Sequence, residues 1–152
     1  MEGILVQGSM QRWVNVKVDG AEAKLRLLEE YSPRSVEALW QSLPIATELR
    51  HGKLSGEACF LDVDSGPLLD LPAQPELPVT SIYRGYLVLT VLPELGHAEL
   101  LISYGVAEYR WPTGRRYVTP VARADEAEAL YDVLRRMFSE GVKRIEIRRR
   151  AA

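Results

Sequence analysis

The sequence predicts a mainly β protein: seven or eight short strands, mostly antiparallel, with two helices set among them. Three observations carry this. Apolar residues alternate along many short stretches, as where Val14, Val16 and Val18 share one face of a strand over 13–18. Asp19-Gly20 follows as a hairpin signal, because a type I′ turn needs positive φ and glycine supplies it without strain. Two segments carry a helical period instead: Val36, Leu39, Trp40 and Leu43 recur at i, i+3, i+4 and i+7, and a second apolar face runs through Leu130, Leu134 and Met137.

Residues 1–10 are expected to form a leader, since Gly3, Gly8 and Ser9 break any period, and one domain is expected over 11–149. The return strand of the hairpin spans 21–28. Ser32 is placed to cap the first helix, over 33–42, with Pro33 in its first turn and Pro44 beyond its end. Strands follow over 46–51 and 57–63. The stretch 64–78 holds Pro67, Pro72, Pro75 and Pro78, and reads as a surface excursion outside the core. Strands resume over 86–91 and 99–104, separated by a turn over 92–98. A loop over 105–117 and a short strand over 118–121 lead to the second helix, over 126–139. Asp125 is its expected N-cap and Gly141 its stop. A last strand spans 142–147.

Composition excludes more than it selects. At 152 residues and 17.1 kDa the chain is the size of one domain that can bury a full core. The lone Cys59 forbids an internal disulfide and a thiol metal cluster, and points to a reducing, cytoplasmic setting. No window approaches the roughly 18 apolar residues of a membrane span, and the run Ile4-Leu5-Val6 is too short for a signal peptide. A formal charge of −2 gives no bulk reason to expect nucleic acid. No cofactor is implied, and no phosphate-cradling or dinucleotide motif is present.

The Asp19-Gly20 hairpin, the helix Y-S-P-R-S-V-E-A-L-W, the strand G-Y-L-V-L-T, the stretch E-L-L-I-S-Y-G and the run V-A-R-A-D-E-A-E-A-L come in a suggestive order. Over 11–149 they resemble the cyclophilin-like proteins, and among these the small prokaryotic members of unknown function. The resemblance implies a closed antiparallel β-barrel of about eight strands with two capping α-helices, which removes exposed strand edges. It does not imply the isomerase chemistry of true cyclophilins. These carry an arginine next to a histidine and a Q-G-G-D segment, whereas here Arg50 and His51 stand in reverse order and Q-G-G-D is absent. Reversing neighbours on a strand sends each side chain to the other face.

Candidate ligand-binding residues are Arg50, Phe60, Tyr104, Arg110 and Trp111; no catalytic residue is assigned. Arg50 is suited to hold a carbonyl or carboxylate, Phe60 to floor an apolar pocket, and the loop Y-R-W-P-T-G-R-R-Y to stack on a ligand or hold an anion. His51 and His97 are expected to lack an acidic and nucleophilic set, and Asp62 with Asp64 is too weak a pattern to imply a metal. The expected function is a non-catalytic module binding a peptide or small molecule between the Arg50 and Phe60 strands and the loops 64–78 and 109–117. The alternatives are a divergent peptidyl-prolyl isomerase using Arg50, and an interaction protein forming homo-oligomers through the acidic proline-rich loop or the arginine-rich end.

Overall fold

The computed structural model describes residues 11–151, so the expected leader at 1–10 lies outside the described residues. In chain order the elements are β1 (Trp13–Val18), β2 (Ala21–Leu27), α1 (Pro33–Ser42), β3 (Ile45–His51), β4 (Gly56–Val63) and α2 (Gly66–Leu69). Then come β5 (Ser81–Ile82), β6 (Tyr86–Leu92), a 3-10 turn (Pro93–Leu95) and β7 (His97–Glu108). The chain continues with β8 (Arg110–Trp111), β9 (Gly114–Arg115), β10 (Thr119–Ala124), α3 (Glu128–Glu140) and β11 (Lys143–Arg149).

Eight strands close into a barrel in the order β4-β3-β11-β1-β2-β10-β6-β7, and the β4–β7 pairing shuts the ring. Every pairing is antiparallel. The β1–β2 turn has positive φ at Asp19 (53°) and Gly20 (85°), the requirement that marked it in the sequence. Inward residues of successive strands, among them Val16, Leu25, Leu49, Leu61, Leu87, Leu100 and Ile147, fill the interior. Each such side chain contributes about 1.5–3 kcal/mol by leaving water.

The two longer helices close opposite ends. Ser32, just before α1, donates its hydroxyl to the carbonyl of Pro120 near the start of β10 (2.7 Å). At the other end, the Cys59 thiol meets the Leu134 carbonyl of α3 (3.7 Å), and α3 touches β1, β2, β3, β4 and β7. Val36 and Leu39 of α1 and Leu130 and Leu134 of α3 belong to one buried cluster with the barrel interior.

Several expectations need correction. Ser32 makes no side-chain cap on α1. That role falls to Glu76, whose carboxylate accepts from the backbone N–H groups of Arg34 (3.2 Å) and Ser35 (2.9 Å) and from the Ser35 hydroxyl (2.9 Å). The segment 64–78 is not wholly superficial, for α2 sits within it and drives Leu68 into the core. Helix α3 starts at Glu128 after Ala127, so Asp125 is not its cap. Finally, β7 extends to Glu108, well past the expected end, because its far half pairs with β4 and β5.

That extension matters most. A second buried cluster, with Ala58, Val88, Leu101, Tyr109 and Val118, covers the outer face of β4, β6 and β7. The barrel wall is therefore buried on both sides here, and the segments around β5, β8 and β9 form the outer layer.

Candidate functional site

On the outside of the barrel, beside that second cluster, a cleft of ≈ 460 Å³ opens over β4 and β7. Strand alternation makes its floor: Cys59, Leu61 and Val63 point inward, so Phe60 and Asp62 face out, and Glu99 and Leu101 do the same on β7. Three segments wall it, the loop after His51, the hairpin β8–β9 with Arg110, Trp111 and Pro112, and Leu95 of the 3-10 turn. These walls are tied together. Ser55 accepts the backbone N–H of Glu108 through its carbonyl (2.9 Å) and that of Arg110 through its hydroxyl (3.2 Å). Arg116 lies over the Trp111 ring (5.0 Å to the centroid) and donates to Glu94 of the turn (3.0 Å).

A polar chain runs through the apolar surroundings. The Trp111 indole N–H donates to the Tyr109 hydroxyl (2.7 Å), which donates to Oε1 of Glu99 (3.0 Å). Glu99 is only 8% exposed, and Tyr109 is 1% exposed. Burial pushes the Glu99 carboxyl up to about 7, against the lowering effect of the Tyr109 hydrogen bond and with a further push from Asp62. The Tyr109 phenol is raised as well, again chiefly by burial. Asp62 and Glu99 are register partners across β4 and β7. His97, two residues before Glu99 on the same face, brings Nε2 to 3.3 Å from Oδ1 of Asp62. One ligand atom from each of Asp62, His97 and Glu99 lies within 4.8 Å of the others.

The structure thus brings together Phe60, Arg110 and Trp111 of the sequence candidates, and leaves two aside. Arg50 shares a face with its register partner Phe60, but it stays outside the cleft, exposed, with its guanidinium on Glu48 (2.9 Å). Tyr104 points into the barrel, 5% exposed, and its hydroxyl meets Nε2 of His51 (2.7 Å). Among the described residues, Nδ1 of that histidine is buried with no hydrogen-bond partner. Burial, then the charge of Lys53, hold His51 below the ordinary histidine value. The structure sets two carboxylates near His97, Asp62 across the β4–β7 pairing and Glu99 two residues along its own strand. Glu99 and Leu101 are residues that sequence reading missed, while Tyr109 entered it only as the first residue of the loop 109–117. One signal was available: a glutamate inside A-E-L-L-I-S, a run apolar enough for a strand buried on both faces.

Comparison with known proteins fixes the family. The profile of DUF3830, described as a protein of unknown function, matches residues 14–148. The chain belongs to the DUF3830 family. No curated protein matches it. Among solved structures, the DUF3830 chain is similar to McbB, described in complex with tryptophan, with a TM-score of 0.72 and 18% identity. That match covers 91% of this chain and 45% of the other, so the chain spans about half of McbB. It is also similar to the hypothetical protein AF2241 from Archaeoglobus fulgidus, with a TM-score of 0.59 and 13% identity, over 92% of this chain and 95% of that one. At such identities the likeness is one of fold. Among the described residues, no helix is long and apolar enough to cross a membrane.

Proposed function

We propose that this DUF3830 protein is a small-ligand binding module of cyclophilin-like architecture, with its site in the outer-wall cleft. The ligand is a compact molecule with a flat apolar body and one polar end. Its body lies against Phe60, Leu101, Leu95 and Trp111, and its polar end reaches the Asp62–His97–Glu99 side. The observation that carries this reading is Glu99 itself: a carboxyl nine-tenths buried at the floor of an apolar concavity and held at Oε1 by Tyr109. A volume of ≈ 460 Å³ suits a single small molecule. The description of McbB with tryptophan belongs to that protein, but it makes indole compounds a sensible first set of probes.

Nothing in the geometry favours the isomerase alternative, because Arg50 is turned to Glu48 away from the cleft. The test is a thermal-shift screen of aromatic amines, indoles and aromatic acids against the wild type and Trp111→Ala. Stabilisation of the wild type by one of these classes, lost in Trp111→Ala, supports the reading. Equal shifts in both proteins, or none in either, contradict it.

A further inference from the structure

The polar end of the cleft has the make-up of a metal site. Asp62 and Glu99 oppose one another directly across β4 and β7, an arrangement that like charges disfavour unless a cation lies between them. His97 stands on the same face of β7, and the three ligand atoms already fall within 4.8 Å of one another. Two paired strands of a closed barrel hold all three, so the set is prepositioned.

A second observation concerns the burial of Glu99. Glu99 is 8% exposed and aimed into the cleft, and among the described residues only Tyr109 donates to it, at Oε1. No further donor to it stands among the described residues, and it lies beside Asp62 and His97 in the cleft lining. The cations of the hairpin wall do not supply one: Arg110 is held by Glu108 (3.3 Å) and Arg116 by Glu94 (3.0 Å).

We infer that Asp62, His97 and Glu99 bind one divalent first-row transition metal ion, such as Mn²⁺ or Zn²⁺, at the polar end of the cleft. One imidazole and two carboxylates suit such ions. Nε2 of His97 and Oδ1 of Asp62 already stand 3.3 Å apart, close to the spacing of neighbouring ligands set about 2.0–2.2 Å from one ion. Three protein ligands leave coordination positions facing the cleft. The inference rests on the ligand cleft proposed above and adds to it: the polar end of the small molecule would be an oxygen or nitrogen donor to the ion.

The test uses the full chain, freed of any affinity tag and stripped by chelator, titrated with Co²⁺, Zn²⁺ and Mn²⁺ by calorimetry, and by visible absorption for Co²⁺. The expected result is one saturable site per chain, weakened by about 100-fold or more in His97→Ala and clearly weakened in Asp62→Asn. Glu99→Gln, which keeps the acceptor for Tyr109 and so guards against misfolding, should also lose the site. Absence of saturable binding, or binding unchanged in all three variants, overturns the inference. Neither result touches the screen of aromatic ligands, which is run in chelator.

Discussion

Asp62 and Glu99 face each other as register partners on the outer wall of the barrel, one half-exposed and the other buried. Barrel closure puts them together, since β4 and β7 are neighbours only because the sheet bends round on itself. The pair is electrostatically unfavourable when both are ionised. Glu99 bears that strain, with its carboxyl raised to about 7 by burial first and by Asp62 in addition.

In metal-free protein, Glu99→Gln is therefore predicted to stabilise the fold at pH 8, by on the order of 1–3 kcal/mol. The sign follows from the raised value. The stability linked to Glu99 is fully present below its ordinary value of 4.5 and is lost as pH rises through about 7. The gap between variant and wild type should thus close as pH falls from 8 towards 4.5. Denaturant unfolding across that range checks it, and a gap that does not depend on pH would contradict it.

Tyr109→Phe removes both hydrogen bonds of the phenol, leaving the Trp111 indole N–H and Oε1 of Glu99 without partners. A cost of about 1–3 kcal/mol is predicted. Because the Tyr109 hydrogen bond lowers Glu99, its loss should move the Glu99 titration further up. Carbonyl-detected NMR titration of the two proteins measures the direction.

The distant cap on α1 gives the opposite pH behaviour. Burial pulls the Glu76 carboxyl up, but the hydrogen bonds from Ser35 and Arg34 outweigh this and hold it below the ordinary range. Its contribution is present above the ordinary carboxylate value and fades as pH falls through its lower folded value. Glu76→Ala should cost about 1–2 kcal/mol at pH 7, while Ser32→Ala should leave the helix cap untouched and lose the hydroxyl's bonds to the Pro120 and Leu28 carbonyls. Unfolding of the two variants at pH 7 and pH 3 separates these cases: the Glu76→Ala deficit must shrink in acid.

Cys59 is fully buried, and burial pushes its thiol up to about 12. The native protein should leave it unmodified by a thiol reagent at pH 8 over hours, and react only under unfolding denaturant. Rapid labelling without denaturant would mean that the β4–α3 contact opens readily.

What the sequence made legible was mostly local. The Asp19-Gly20 turn and the apolar face of α1 need only neighbouring residues to be read, and both stand where the residues put them. Leu68 and Glu76 were misread because proline-rich sequence hides a short helix and a carboxylate that serves a helix far away in the chain. The floor of the cleft was illegible for a related reason. Nothing near Glu99 announces Asp62 as its neighbour, and only the pairing that closes the barrel makes them one site. Phe60 was read as the floor of a pocket on its strand and Arg110 and Trp111 from their arginine–aromatic loop, and all three line the cleft, whereas Arg50 was drawn in by resemblance and stays outside it, paired to Glu48.

The most direct measurement of the ligand cleft is a two-dimensional NMR titration of the chelator-treated protein with the best aromatic compound from the screen. Saturable shifts confined to the Trp111 indole, the Leu95 and Leu101 methyls and the backbone around Glu99 are the expected result. Shifts gathered instead around Arg50 and the interior Tyr104, or spread evenly over the barrel, would contradict it.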